Sequence, residues 1–198
     1  MRLIKVGLAS VNPTVGSVFS NVDRCVQVAH DMAGQHVTVA AFPEQVIGGY
    51  APEDLIQWRG FVDAQWQQLR RFAQETQGHG TVFALGVAVA QRGHLYNAAA
   101  VVHRGDILGV VPKEKLPTYN VFYEARTFSH GVPGAVDEVH GVPFGDLVFE
   151  FDFGTLAVEV CEDVWSPDGP MRRRCYVGAE LVVNLSASPF RMGVLGTR

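Results

Sequence analysis

Short, almost wholly apolar runs that alternate with segments of helical periodicity are the feature that most limits what this chain can fold into. The clearest run covers residues 36–42, with Val-Thr-Val-Ala-Ala-Phe at its heart. A run this short and this apolar is expected of a strand covered on both faces. Ahead of it, a strand over 3–8 runs into the turn-like Val11-Asn12-Pro13-Thr14. Apolar residues then fall at Val18, Val22, Val26, Ala29 and Ala33, one face of a helix, with Gly34 as its stop. Val62, Trp66, Leu69, Phe72 and Ala73 predict a second helix before a loop over 77–80. Two strand-like runs, 82–90 and 95–103, are joined by the polar turn Gln91-Arg92-Gly93. A further strand over 107–111 follows, and a pair over 147–153 and 156–161 meets at Gly154. A short helix over 171–178 and a strand over 181–185 close the series. Strands alternating with helices, together with adjacent strand pairs, predict an α/β domain built on mixed sheet. No repeat or low-complexity linker divides it, so 1–198 reads as one domain.

Composition narrows the function. With 198 residues, 47% hydrophobic and 18% charged, the chain can bury a substantial core, which excludes intrinsic disorder. Sixteen basic against twenty acidic residues give a net charge of −4, which does not favour nucleic acid or an anionic membrane as the main partner. No apolar run approaches the roughly 18 to 20 residues that span a bilayer, so a soluble, cytoplasmic protein is expected. Three cysteines, Cys25, Cys161 and Cys175, sit in unrelated contexts, an odd number that argues for reduced thiols with chemistry at one of them. Cys25 on an apolar stripe and Cys175 on a short helix are expected in the core. The seven histidines include no i, i+4 pair, which argues against a metal site. The run Arg172-Arg173-Arg174 is expected on a solvated helix face.

The chemistry-bearing residues lie where strands stop. Glu44 follows Phe42-Pro43, Lys113 follows Pro112, and Cys161 follows Val160. In α/β sheets the carboxyl ends of strands are where sites are usually built. Each residue alone has a plain alternative: a solvated loop acid, a surface charge, a small buried apolar group. Their combination at three strand ends is what points to a site.

Four segments carry a resemblance: FPEQVIGGYAPEDL, VPKEKLPTYNVFYEARTF, EVCEDVW and GAELVVNLSASPF. In order and spacing they resemble the signature blocks of the carbon-nitrogen hydrolase (nitrilase) superfamily. The Cys-Glu-Asp, Leu-Pro-Thr-Tyr-Asn-Val-Phe-Tyr-Glu and Asn-Leu-Ser-Ala-Ser-Pro strings are most like the N-terminal glutaminase domain of glutamine-dependent NAD synthetases. The resemblance implies a nitrilase-type α-β-β-α sandwich, C-terminally incomplete, with a Glu44-Lys113-Cys161 triad. It implies that Glu44 shuttles the proton, that Lys113 and the amide of Glu162 stabilise the oxyanion, and that Cys161 forms a thioester. Tyr50, Tyr119, Glu124, Glu162, Ser186 and Ser188 are implied around the substrate. For Glu124 a structural ion pair with Arg126 or another base is an equal alternative, for Tyr50 and Tyr119 plain packing in a loop, and for Ser186 and Ser188 a plain turn ahead of Pro189. The implied substrate is L-glutamine, with its ammonia used to make NAD. No cofactor is implied for this chain; ATP and Mg2+ belong to a synthetase domain for which no Ser-Gly-Gly loop is present. That domain and further copies of this chain are the implied partners. A stand-alone amidase or ureidase, or an inactive assembly fragment, are the alternatives.

Overall fold

The computed structural model describes residues 3–196. Its strands and helices are, in chain order, β1 (Val6–Leu8), α1 (Val18–Gly34), β2 (Val39–Ala41), α2 (Arg59–Glu75), β3 (Val82–Gln91), β4 (His94–His103), β5 (Asp106–Pro112), β6 (Val136–Val139), β7 (Val142–Gly145), β8 (Phe149–Phe151), β9 (Gly154–Val160), α3 (Pro170–Tyr176) and β10 (Leu181–Leu185). They form a mixed seven-stranded sheet in the order β1-β2-β3-β4-β5-β7-β6 and a three-stranded sheet in the order β10-β9-β8.

Residue alternation sorts the layers. On β3, Phe83, Leu85, Val87 and Val89 face α1 and α2, packing with Val22, Cys25, Leu69 and Phe72. Their neighbours Val82 and Ala84 point the other way, joining Val39, Ala99 and Val101 against Leu156, Val158, Val160 and Val183 of the small sheet. A strand with two buried faces needs apolar residues at every position, and that is why these runs do not alternate with polar ones. The outer face of the small sheet is backed by α3, which packs against β9. The layers are therefore α-β-β-α, with the fourth layer only one short helix among the described residues.

Three features depart from the sequence expectation. A hairpin, β6–β7, occupies a stretch to which the sequence pattern assigns no element; its strands are four residues each, carry Asp137, Glu138 and Pro143, and gain stability by joining β5 at Val110. Cys161 therefore follows the ninth strand, not the seventh. The arginine run is not a solvated face: Arg172 is exposed above the Tyr176 ring, but Arg174 is 2% exposed and bound with Arg173 to Asp146 and Glu114. A buried guanidinium is tolerable only with such partners. Finally, Cys175 is exposed, because α3 buries its Arg174 side, whereas Cys25 is in the core.

Candidate active site

Glu44 is set down beside β3 by one glycine. A Cβ on Gly86 would lie 2.1 Å from the nitrogen of Gln45 and 2.5 Å from the carbonyl oxygen of Pro43, so only glycine lets the loop after β2 lie on the strand. Gln45 takes a left-handed φ of 47° and turns the chain away. The Glu44 carboxylate is 1% exposed. Its Oε1 accepts from Asn97 Nδ2 at 2.7 Å and Lys113 Nζ at 2.8 Å, and its Oε2 accepts the Ala187 N–H at 3.0 Å.

Lys113 leaves β5 with its backbone fixed on both sides, its N–H donating to the Asn97 carbonyl and its carbonyl accepting from Gly131 N–H, each at 2.8 Å. Its ammonium is wholly buried between Glu44 and Glu124, 2.8 Å from each. Burial alone would lower the lysine's pKa, but the two carboxylates outweigh it and hold Lys113 above its ordinary value. One cation cannot balance two acids. Burial accordingly lifts Glu124 above the usual carboxylate range; Lys113 opposes the shift and the charge of Glu44 adds to it. Tyr50 donates to Glu124 at 3.0 Å, and burial with the nearby carboxylates keeps that phenol protonated. Arg126 pairs with Asp54 instead of Glu124.

Cys161 stands where β9 turns into a 3-10 turn, Cys161–Trp165, with a φ of 46°. A left-handed non-glycine residue stores strain of about 1–3 kcal/mol and is a recurrent way to present a reactive group. The thiol is shielded, and its Sγ lies 3.8 Å from the Ser188 hydroxyl. Ser186 donates to Asn184, whose amide in turn donates to the Cys161 carbonyl, at 3.0 and 3.2 Å. Burial raises the thiol pKa, and the charge of Glu44 raises it further, while Lys113 and the two serine hydroxyls pull it down. The resting sulphur is thus a thiol that senses both an acid and an ammonium.

Cys161 lines a cleft of about 520 Å3 together with Tyr119, Phe122, Glu162, Trp165 and Arg191. Tyr119 donates to Glu162 at 2.8 Å across the cleft. Tyr50 borders an adjoining hollow of about 260 Å3 that shares Phe122 and Pro189 with the cleft. Three residues of this centre were not singled out from sequence: Asn97, Asn184 and Asp163. A lone amide beside the Ala98-Ala99-Ala100 run of a buried strand is out of pattern, and that was the available signal for Asn97. Asn184 on β10 and Asp163 carried none. Among the described residues, no cluster of three or more His, Cys, Asp or Glu could hold a metal ion.

A cysteine, a lysine and two carboxylates gathered at the strand ends of an α-β-β-α sandwich define a class of amide-cleaving enzymes. Residues 5–195 match the carbon-nitrogen hydrolase family profile, and the chain belongs to that family. It is 34% identical over 190 residues to a glutamine-dependent NAD(+) synthetase of Aquifex aeolicus, a match covering 96% of this chain and 31% of that protein. The crystal structure of a glutamine-dependent NAD(+) synthetase from Cytophaga hutchinsonii superposes with a TM-score of 0.88 at 26% identity, covering 98% of this chain and 32% of that one. An amidase from Nesterenkonia sp., at 19% identity and a TM-score of 0.78 over 97% of this chain and 68% of its own, shares the fold. The chain spans about a third of the length of the curated relatives it matches. Among the described residues no helix is long and apolar enough to cross a membrane.

Proposed function

We propose that this chain hydrolyses L-glutamine to glutamate and ammonia, as the glutaminase part of a glutamine-dependent NAD synthetase. The observation that carries this reading is Cys161 lining a cleft at the end of β9, where the charges of Glu44 and Lys113 both act on its thiol. Glu44 takes the thiol proton as the sulphur attacks the amide carbonyl, and returns it to the departing nitrogen, which leaves as ammonia. Lys113, with the backbone N–H of Glu162, faces the negative charge that develops on the carbonyl oxygen; fixed donors do this better than mobile water. The remaining thioester is cleaved by a water that gives its proton to Glu44, which regenerates the thiol and releases glutamate. Glu124, fixed by Lys113 and Tyr50, holds the ammonium in place.

Specificity follows from the rim. Glu162 and Arg191 line the same cleft, an anion and a cation suited to the ammonium and carboxylate of an α-amino acid, with Tyr119 and Ser188 as hydroxyl partners. In a longer protein the ammonia amidates nicotinic acid adenine dinucleotide, in a synthetase domain that uses ATP and Mg2+. Ammonia release from L-glutamine, L-asparagine and propionamide tests the reading. Glutamine should be turned over fastest and Cys161→Ala should be inactive. Faster turnover of another amide, or activity in Cys161→Ala, would overturn it.

A further inference from the structure

Asp163 has no part in the reaction just described, yet its carboxylate is gripped from two sides. It follows the nucleophile by two residues and is 1% exposed. Its Oδ2 accepts the N–H of Val160 at 3.1 Å, and its Oδ1 accepts the N–H groups of Glu114 and Lys115 at 3.1 and 2.8 Å. Val160 ends β9 in the small sheet, whereas Glu114 and Lys115 directly follow Lys113 just past the end of β5 of the large one. The two sheets share no backbone ladder, so their separation at this point is set by side chains. Behind Asp163 the loop allows no slack: a Cβ on Gly169 would meet the Asp163 carbonyl oxygen at 2.1 Å.

We propose that Asp163 is a positioning residue that ties the strand end bearing Lys113 to the strand end bearing Cys161, and so fixes the charge environment in which the thiol loses its proton. The proposal rests on Cys161 being the nucleophile. Ionising this carboxylate inside the fold costs stability. Burial pushes Asp163 up to about 6 in spite of its amide donors and the facing Lys113, with Glu159 adding to the rise. A carboxylate whose folded pKa lies above its ordinary value binds protons more readily when folded, so its ionised form weakens the fold as pH rises through that value. The geometry it imposes is what its ionised form contributes.

The three cysteines provide the test within one molecule. Cys161 reports on the site, exposed Cys175 is a reference thiol, and buried Cys25, its thiol pushed up to about 12 by burial, reports unfolding. Asp163→Asn keeps the shape but presents a donor where one acceptor oxygen stood, so one side of the tie, either the Val160 N–H or the pair from Glu114 and Lys115, is left without an acceptor. Alkylation by iodoacetamide at neutral pH, read by mass spectrometry, should show the Cys161 to Cys175 rate ratio falling about tenfold as Lys113 moves away, with Cys25 still protected. The kcat for glutamine should fall on the order of 10²-fold, with KM changed less than about threefold. Asp163→Glu, which keeps the charge but displaces it, should give a smaller fall in the same ratio. Asp168→Asn, at an exposed neighbouring acid, should change nothing. An unchanged ratio with Cys25 protected would overturn the proposal, as would Cys25 labelling in step with the loss of activity in both Asp163 variants. If the wild-type chain does not hydrolyse glutamine but the ratio falls, the glutaminase reading fails and the tie stands.

Discussion

The two sheets contribute to one site in opposite ways. The central strands of the seven-stranded sheet are covered on both faces, and none of Glu44, Asn97 and Lys113, on those strands or just past their ends, is more than 1% exposed. The three-stranded sheet ends at β10, is backed by a helix of seven residues, and brings Cys161, Ser186 and Ser188 to the cleft side. Charges that must be fixed are held where packing prevents movement and low dielectric strengthens them. The sulphur, which on the proposed reading has to meet a substrate, is held by the sheet that packing encloses least. Rigidity and access are thus divided between two layers.

The largest effect expected from breaking this division is at Lys113. Lys113→Met leaves Glu44 and Glu124 buried together without a cation, which should destabilise the fold by about 3–5 kcal/mol in urea unfolding and lower kcat by on the order of 10² or more. Adding Glu124→Gln to that variant should restore part of the stability and none of the activity. A Lys113→Met protein as stable as the parent would mean that the large sheet does not hold these charges as rigidly as its burial implies.

Gly86→Ala probes the same sheet without touching a charge. Its new Cβ meets backbone atoms, not flexible side-chain ends, so the Glu44 loop must lift from β3, with a loss of about 1–3 kcal/mol and a kcat reduced at least about tenfold. Gly34→Ala, where nothing lies within 4 Å of the added carbon, should stay within about 0.5 kcal/mol of the parent. Equal behaviour of the two variants would remove the argument that one glycine seats Glu44.

The smallest effect belongs to the support of the small sheet. Burial works to raise the pKa of Asp146, but hydrogen bonds from Arg173, the Gly134 N–H and Arg174 prevail and hold it at about 2. A folded pKa below the ordinary value means that ionised Asp146 adds stability above about pH 4, which is lost as pH falls toward about 2. Asp163 acts with the opposite sign around about pH 6. Thermal melts should therefore show an acid arm below about pH 4 that flattens in Asp146→Asn, with little change in kcat at neutral pH. An acid arm identical in both proteins would show that α3 is held by something other than this cluster.

The order of strands and helices was legible because hydrophobic periodicity is a local property. The helix closed at Gly34, the turn at Arg92-Gly93 and the strand Leu181–Leu185 all stand where the periodicity put them. The hairpin β6–β7 was not legible, since four-residue strands carrying charges and a proline become strands only by pairing with β5. The site divides the same way. Residue types and motif order singled out Glu44, Lys113, Glu124 and Cys161. Nothing local, however, places the Lys113 ammonium on a carboxylate 69 positions away, buries Arg174 inside a run of three arginines, or sets Asp163 against backbone amides just past the end of β5. The sequence by itself determined which residues could do chemistry and which segments would be strands, because those follow from each side chain and its near neighbours. Only the tertiary structure decided which charges are buried, which are paired and how far apart they stand, because burial and Coulomb energy depend on packing between segments distant in the chain.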